Sequence, residues 1–240
     1  MSVVVSMAGL GSRFTRVGYK QPKYKILVKS KTLFEWSMLS MRDFFDNHFV
    51  FACLDDADFE WIQKIANSLE IIDYSFHIRE SVSRGQAETV YDAVNLLKKD
   101  DMLWVYNIDT YVESGIKKTD IGSASGCLHV SYSTEPNMSF VDYDANGKVN
   151  KVVEKKQIST WASVGSYGFS SVDLYREVYN KSYLSGMTNE VGEERYIAPM
   201  YSIMLNLGME VVAPKLDQSL VHVLGTPEDI EKFNTLKKLK

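Results

Sequence analysis

The feature that most constrains this chain lies within its first 23 residues. An apolar run at residues 3–5 passes directly into the segment MAGLGSR at residues 7–13, and a Pro22-Lys23 pair follows. Glycine lets the backbone approach a bulky anion and adopt a positive φ, and successive N–H groups in such a turn form an anion-binding concavity. Arg13 and Lys23 add full positive charges to the same place. The pattern therefore predicts a buried strand that ends in a polyphosphate site.

Two common phosphate-binding motifs do not match this segment. The P-loop pattern G-x-x-x-x-G-K-[ST] is absent from the sequence. The dinucleotide pattern G-x-G-x-x-G fails because Phe14 stands where the third glycine would be. The plain alternative is a tight turn between a strand and a loop, with solvated basic residues. The continuation through Arg13 and Pro22-Lys23 favours phosphate binding over that alternative.

The order of elements predicts an α/β fold with a mixed, mainly parallel central sheet flanked by helices. Over the first half, apolar strand candidates alternate with helical segments, such as residues 86–97, whose apolar side chains recur every 3.6 residues. Past residue 126 the strands are predicted to be antiparallel, with a hairpin turn at Asn146-Gly147. A helix is predicted over residues 193–207, interrupted at Pro199.

Composition excludes several classes of function. The 240 residues carry a net charge of −4, whereas a nucleic-acid-binding domain would carry a basic face. Cys53 and Cys127 lie in apolar runs and the four histidines are scattered, so neither a disulfide framework nor a Cys/His metal site is indicated. The N-terminus does not resemble a signal peptide, and no apolar stretch is long enough to span a membrane. We expect a cytoplasmic protein that acts on small molecules.

Six further motifs follow the N-terminal segment in a characteristic order. They are Gly85-Gln86-Ala87-Glu88-Thr89, Asn107-Ile108-Asp109, Val153-Glu154-Lys155, Gly165-Ser166-Tyr167-Gly168-Phe169, Glu194-Arg195-Tyr196-Ile197-Ala198-Pro199 and Gly225-Thr226-Pro227-Glu228-Asp229. Together with residues 8–13 and Pro22-Lys23, this set resembles the nucleotidylyltransferases, or nucleoside-diphosphate-sugar pyrophosphorylases, over nearly the whole chain. The resemblance implies a GT-A-like, Rossmann-like fold in one domain at residues 1–240. About residues 1–125 would form its nucleotide-binding half and about 126–240 its acceptor-binding half.

The resemblance also implies a reaction. A phosphate oxygen of an acceptor attacks the α-phosphorus of a nucleoside triphosphate in line, and pyrophosphate leaves. Such transfers need no side-chain nucleophile and depend on positioning and charge stabilisation. The form of residues 7–14 resembles the capsule and surface-polysaccharide branch, and the chain length is similar to that of compact cytidylyltransferases. CTP is therefore favoured as the nucleotide, while the acceptor is left open between a sugar 1-phosphate and a small non-sugar phosphate.

Site residues carry over from the motifs by position. Those expected to bind the nucleotide are Met7, Ala8, Gly9, Leu10, Gly11, Ser12, Gly85, Gln86 and Asn107. Three residues are predicted to be catalytic. Arg13 would neutralise the departing phosphates, Lys23 would hold charge at the α-phosphate, and Asp109 would bind Mg²⁺, the expected cofactor. Those expected to bind the acceptor are Glu154, Lys155, Gly168 and Glu194, with Tyr196 beside them.

Two positions depart from the family pattern. The family often has a metal-binding Asp two residues before the glycine of the last motif, and this chain has Val223 there. Mg²⁺ would then be held by Asp109, phosphates and waters, or with help from another residue, for which Asp217 is the candidate. Weakened catalysis is a third possibility. The proline that usually follows the acceptor lysine is replaced by Lys156.

Two other classes of protein compete with this interpretation. A GT-A glycosyltransferase would consume a nucleotide sugar, but it would want an Asp-x-Asp metal motif where this chain has Asn107-Ile108-Asp109. A non-catalytic nucleotide-binding regulator is suggested by Val223. The expected partners are a nucleoside triphosphate and a phosphorylated small molecule, with neither nucleic acid nor membrane, and association into a homo-oligomer is compatible with the sequence.

Overall fold

The computed structural model of the protein describes residues 1–185, 187 and 193–236. Its strands are β1 (Ser2–Ser6), β2 (Leu27–Val28), β3 (Lys31–Thr32), β4 (His48–Cys53), β5 (Tyr74–Ile78), β6 (Leu103–Asn107), β7 (Thr110–Val112), β8 (Gly126–Tyr132), β9 (Ser139–Tyr143), β10 (Val149–Glu154), β11 (Trp161–Phe169), β12 (Val211–Val212), β13 (Lys215–Leu216) and β14 (Val221–Val223). Its α-helices are α1 (Ser12–Thr15), α2 (Leu33–Ser40), α3 (Phe59–Ser68), α4 (Gln86–Ala93), α5 (Val172–Tyr179), α6 (Ala198–Asn206) and α7 (Pro227–Thr235).

A mixed central sheet organises the described part of the chain. Its main path runs β10-β9-β11-β6-β1-β4-β5. Strand β1 pairs in parallel with β4 and β6, and β4 pairs in parallel with β5. Past β6 the direction changes, because β11 pairs antiparallel with β6, β8 and β9. The short strands β12 and β13 add in parallel to β8. The predicted mixed, mainly parallel sheet is confirmed.

Helices cover both faces of the parallel half of the sheet. This explains why the sequence of β1 is continuously apolar and does not alternate between apolar and polar residues. Val3, Val4 and Val5 are all fully buried. Val4 belongs to the buried cluster that contains Ala87 of α4, whereas Val3 and Val5 belong to the cluster that contains Phe34 of α2. A central parallel strand is buried on both faces, and each buried valine contributes on the order of 2 kcal/mol. The position of β1, and hence of the turn that follows it, is therefore strongly fixed.

The turn and helix signals of the second half are partly confirmed. Asn146-Gly147 lies in the turn between the antiparallel strands β9 and β10, and Gly147 has a φ of +78°. Helix α7 begins at Pro227 after Thr226, whose side chain accepts from the backbone N–H of Asp229. The helix was predicted to reach residue 239 but ends at Thr235, because Leu236 has an extended backbone.

The helix predicted over residues 193–207 was wrong at its N-terminal end. Helix α6 begins at Ala198, and Pro199 lies in its first turn, where the missing N–H costs nothing. The preceding residues are not helical because their backbone is engaged elsewhere. The N–H of Arg195 donates to the carbonyl of Arg84 at 2.6 Å, and the carbonyl of Arg195 accepts from Ala87 at 3.0 Å. These partners are distant in the sequence, so local periodicity could not reveal them.

Among the helices in the described ranges, none is both long enough and apolar enough to cross a membrane.

Candidate active site

A cleft of about 610 Å³ opens at the carboxyl ends of β1 and β6. The residues that line it are Ser6, Met7, Ala8, Gly9, Leu10, Gly11, Lys23, Tyr24, Val82, Ser83, Arg84, Gly85, Gln86, Thr89, Asn107, Ile108, Asp109, Glu193 and Glu194. Ligands of open α/β sheets bind at this edge. The structure thus brings together every residue predicted to bind the nucleotide except Ser12, along with Lys23, Asp109 and Glu194.

The glycine turn after β1 brings the main chain close to Lys23. Gly11 has a φ of +59°, and a Cβ at this position would lie 3.3 Å from the Cβ of Lys23. Phe14 of α1 is buried beneath the ammonium group of Lys23, and 5.9 Å separates Nζ of Lys23 from the ring centroid of Phe14. Gly9 has open space where a side chain would be. Ser12 begins the short helix α1 and is exposed.

The carboxylate of Asp109 is paired with Lys23, and Arg13 lies close by, beside Gly225. Lys23 forms an ion pair with Oδ2 of Asp109, and the two side chains are only 18 % and 24 % exposed. A Cβ placed on Gly225 would lie 3.3 Å from the same oxygen and 3.9 Å from a guanidinium nitrogen of Arg13. Arg13 therefore adds a second positive charge to the neighbourhood of this ion pair, and local positive charge attracts anions such as phosphate.

The carboxylate of Asp58 holds the turn that contains Lys23, through the two residues that follow Lys23. The hydroxyl of Tyr24 donates to Oδ2 of Asp58 at 2.6 Å, and Lys25 forms an ion pair with Oδ1 of the same residue. Burial and the hydrogen bond to Asp58 raise the pKa of the Tyr24 phenol, which stays protonated and a donor. Asp58 precedes α3 and carries no motif, so sequence reasoning missed it.

The wall of the cleft formed by Gly85, Gln86 and Asn107 depends on contacts between motifs. The carboxamide of Gln86 donates from Nε2 to Oδ1 of Asn107 at 2.7 Å. Asn107 in turn lies against Gly165, where any Cβ would collide with its amide. Gly85 has a φ of +141°, and a Cβ there would lie 2.5 Å from the carbonyl oxygen of Arg195. Both glycines are therefore required by close approach, not by turn geometry alone.

Three of the residues associated with the acceptor form a small network. Nζ of Lys155 lies 3.7 Å from Oε2 of Glu194, hydrogen-bonds the hydroxyl of Tyr196 and lies 4.3 Å from its ring centroid. Tyr196 donates to Glu194. Burial and Glu194 raise the pKa of Tyr196, while the charge of Arg13 acts in the opposite direction.

Lys155 adopts a backbone conformation that costs energy. Its φ is +52°, a region that costs a residue with a side chain about 1–2 kcal/mol. Its N–H donates to the carbonyl of Met138 at 3.0 Å. Strained residues of this kind concentrate at functional sites. The conformation directs the lysine from the end of β10 toward Glu194 and Tyr196.

Glu154 is buried, although a glutamate side chain is charged at neutral pH in most environments. It is 7 % exposed and accepts a hydrogen bond from the hydroxyl of Ser139. Burial raises the pKa of this carboxyl above its ordinary value of 4.5. A group whose pKa is raised in the folded state lowers stability as pH rises through its unfolded value. The fold therefore retains this carboxyl at a cost, as is common for functional residues.

Replacing Glu154 with glutamine tests that interpretation. Near pH 7 the Glu154→Gln protein should melt roughly 3 °C higher than wild type. Below about pH 4, where the carboxyl is protonated in both states, the difference should disappear. Calorimetry across this pH range measures the effect. Equal melting temperatures at every pH would mean that Glu154 is ionised without penalty.

Six predicted site residues are absent from the cleft lining, namely Ser12, Arg13, Glu154, Lys155, Gly168 and Asp217. Gly168 is packed in the core, where a Cβ would lie 3.1 Å from the ring of Trp104, and its carbonyl accepts from Tyr201. Asp217 accepts from the backbone N–H of Ser219 at 2.8 Å and caps a 3₁₀ turn. Val223, in contrast, belongs to β14, which ends beside Asp109.

Sequence reasoning missed several residues of the cleft lining. They are Ser6, Tyr24, Val82, Ser83, Arg84, Thr89, Ile108 and Glu193. Each lies within or next to one of the motifs, so adjacency is the signal that could have indicated them. None belongs to a residue pattern that by itself points to ligand binding.

The carboxylate oxygens of Asp109 would suit Mg²⁺ if further ligands came from another molecule. Within the described ranges, no group of three or more His, Cys, Asp or Glu residues is arranged to hold a metal. Asp109 offers one carboxylate, and Val223 lies beside it: the Cβ position of Gly225 is 3.3 Å from Oδ2 of Asp109 and 3.8 Å from a methyl carbon of Val223. Mg²⁺ commonly binds through one or two carboxylates, with phosphate oxygens and waters completing its shell.

A second carboxylate at position 223 should therefore create a metal site in the absence of nucleotide. We expect Val223→Asp to bind Mn²⁺, used as a probe for Mg²⁺, at least tenfold more tightly than wild type, since affinity follows the number of carboxylate ligands. Titration followed by electron paramagnetic resonance measures free Mn²⁺ directly. Val223→Asn is the neutral control. Equal Mn²⁺ affinity in all three proteins would place Val223 outside the metal site.

Comparisons with known proteins identify the class of enzyme. No protein-family model and no curated protein matches the sequence. The structure is similar to a nucleoside-diphosphate-sugar pyrophosphorylase from Vibrio cholerae RC9, with a TM-score of 0.89 and 29 % identity over 98 % of this chain and 100 % of that one. These two chains therefore share a fold from end to end.

Two more distant structures share the fold. An inositol-1-phosphate CTP transferase from T. maritima has a TM-score of 0.70 and 15 % identity, with 100 % of this chain and 97 % of that one covered. A putative glucose-1-phosphate thymidylyltransferase from Bacillus anthracis, solved with sucrose, has a TM-score of 0.77 and 13 % identity over 100 % and 98 %. The neighbours are nucleotidyltransferases, which confirms the resemblance predicted from the motifs and assigns the chain to this class of enzyme.

Proposed function

We propose that this cleft transfers a nucleotidyl group from a nucleoside triphosphate to the phosphate of a small molecule, with release of pyrophosphate. The observation that carries the proposal is the convergence of the glycine turn, Lys23 and Asp109 at one end of the cleft with Glu194 at the other. The first group suits a polyphosphate and the second a polar acceptor. The three neighbouring structures, named for reactions of a nucleotide sugar, a polyol phosphate and a sugar phosphate, support it.

On the nucleotide side, the backbone of Gly9 and Gly11 receives the triphosphate. Lys23 stabilises the charge that develops at the α-phosphate, and Arg13 stabilises the departing pyrophosphate. Gln86, held by Asn107, faces the base. This division corresponds to the proposed nucleotide-binding half, about residues 1–125. When bound, Mg²⁺ on Asp109 would neutralise phosphate charge and orient the triphosphate.

On the acceptor side, Lys155 draws in the acceptor phosphate while Glu154 and Glu194 meet its hydroxyls. Lys155 leaves its partner Glu194 when a phosphate replaces that carboxylate. Both groups belong to the proposed acceptor-binding half, about residues 126–240. No side chain forms a covalent intermediate in this scheme, since the acceptor phosphate is itself the nucleophile.

CTP is the proposed nucleotide, with a sugar 1-phosphate or a small non-sugar phosphate as the acceptor. The chain length, similar to that of compact cytidylyltransferases, supports CTP, and the form of residues 7–14 supports a role in surface-polysaccharide synthesis through its resemblance to that branch. The product would be an activated metabolite for surface-polysaccharide synthesis, made in the cytoplasm, where nucleoside triphosphates are abundant.

Val223 favours one competing function, a nucleotide-binding regulator that does not turn over. A pyrophosphate-release assay separates the possibilities. Each of CTP, UTP, GTP, ATP and dTTP is paired, with Mg²⁺, with sugar 1-phosphates, phosphocholine and glycerol phosphate. Release that requires one nucleotide and one class of acceptor supports the proposal. Nucleotide binding without release from any pair would favour the regulator, and release of a nucleoside diphosphate from a nucleotide sugar would indicate a glycosyltransferase.

A further inference from the structure

One short segment, residues 193–196, contacts both ends of the cleft. Glu193 and Glu194 line the cleft, and Tyr196 hydrogen-bonds Lys155 in the acceptor network. Side chains of an extended backbone alternate in direction. Arg195 accordingly extends away from Glu194 and Tyr196, into the protein, and is only 5 % exposed.

The side chain of Arg195 joins two helices. Its Nη1 donates to the hydroxyl of Tyr179 on α5 at 2.6 Å and to Oε1 of Glu88 on α4 at 3.3 Å. Its guanidinium carbon lies 5.7 Å and 5.5 Å from the ring centroids of Tyr179 and Tyr183. Glu88 also accepts from the backbone N–H of Arg84 at 2.6 Å. The arginine is therefore held from several sides.

The main chain of Arg195 is bound just as closely to the base side of the cleft. It exchanges two hydrogen bonds with residues 84–87, which are the last loop residues before α4 and the first two residues of that helix, and its carbonyl lies where any side chain on Gly85 would be. The start of α4, which carries Gln86, cannot shift without moving Arg195. Since Glu194 and Tyr196 flank Arg195, a shift of this residue also moves the acceptor network.

The ion pair between Arg195 and Glu88 is partly buried, with side chains 6 % and 17 % exposed. Together with the hydroxyl of Tyr179 this pair forms a geometrically specific network. Arg is suited to this use because its planar group binds and stacks in fixed directions. The network therefore fixes the position of Arg195 and, through the chain, of its neighbours Glu194 and Tyr196.

We propose that Arg195 is a positioning residue that couples the nucleotide and acceptor sites. Nucleotide that fills the base side orders residues 84–87, and through Arg195 this places Glu194 and Tyr196 for the acceptor. Coupling between two sites is reciprocal, so bound acceptor should strengthen nucleotide binding by the same factor. This inference rests on the proposed function and deepens it.

The test measures equilibrium coupling, not turnover. The affinity of α,β-methylene CTP with Mg²⁺ is determined by calorimetry with and without glucose 1-phosphate or phosphocholine. If the release assay identifies another nucleotide or acceptor, the corresponding analogue is used. In wild type we expect the acceptor to strengthen nucleotide binding by at least fivefold. In Arg195→Lys, which keeps the charge but not the planar group, the ratio should fall toward one.

Two further variants keep the test independent of folding. Tyr179→Phe removes only the hydroxyl that accepts from Arg195, so the ratio should fall partway while the melting temperature changes little. Arg176→Lys on the same helix α5 is the matched control, since Arg176 bonds Asn95 away from the cleft. Its ratio should equal that of wild type.

Three outcomes decide the matter. Loss of coupling in Arg195→Lys and Tyr179→Phe, with Arg176→Lys unchanged, supports the inference. An unchanged ratio in both variants, or a ratio of one in wild type that still releases pyrophosphate, overturns the inference alone. Absence of nucleotide binding by wild type overturns the proposed function and the inference with it.

Discussion

Replacing Lys23 with alanine should lower kcat/KM for pyrophosphate release by about 100- to 1,000-fold, the usual effect of removing one preorganised charge-stabilising donor. Lys23 is the cation that the glycine turn and the Tyr24–Asp58 contact hold against Asp109. Because its charge acts on the α-phosphate as bonds change there, the loss should appear mainly in kcat.

The Lys23→Ala measurement needs a folding control and a charge control. The ion pair with Asp109 is partly exposed and contributes at most about 1 kcal/mol to stability, so the melting temperature should change little. Lys64→Ala, which removes an exposed lysine from α3, should keep wild-type kinetics. Turnover by Lys23→Ala within a few-fold of wild type would remove Lys23 from the mechanism.

The second large effect is expected for Gly85→Ala. An added Cβ would lie 2.5 Å from the carbonyl oxygen of Arg195, and the backbone φ of +141° is itself strained for any residue with a side chain. The contacting atom belongs to the main chain and cannot simply rotate away. We expect the melting temperature to fall on the order of 10 °C and nucleotide affinity to fall at least tenfold.

A matched variant at Gly208 separates the effect of backbone strain from that of the collision between a Cβ at position 85 and the carbonyl of Arg195. Gly208 also has a positive φ, +75°, but has no heavy atom within 4 Å of its Cβ position. Gly208→Ala should therefore cost only about 1 kcal/mol and leave nucleotide binding unchanged. Thermal unfolding and nucleotide titration of the two variants compare them directly. If Gly85→Ala behaves like Gly208→Ala, residues 84–87 are not clamped by Arg195.

The parts of this site that the sequence predicts are those encoded by short segments. The glycine turn follows its strand directly, and Asp109 follows the end of β6, so parallel pairing of β1 with β6 brings both to one edge. Such placement needs only the order of strands and the rule that ligands bind at their carboxyl ends.

What the sequence could not predict depends on contacts between distant segments. Gly168 shares a motif with Gly165, but the structure packs it against Trp104 in the core while Gly165 lies against Asn107. The pairing of β7 with β14 places Val223 beside Asp109, whereas Asp217 caps the 3₁₀ turn that precedes β14. These outcomes depend on strand register and packing, which no local pattern reports.

The most direct measurement follows the two ends of the triphosphate separately. Wild-type enzyme is incubated with Mg²⁺, the acceptor and CTP labelled either at the α-phosphorus or at the γ-phosphorus. Nucleotidyl transfer predicts that the α label enters the organic product and the γ label leaves as pyrophosphate, both in equal amounts. Label that stays in CTP, or a γ label that enters the organic product, would contradict the central claim that this cleft transfers a nucleotidyl group.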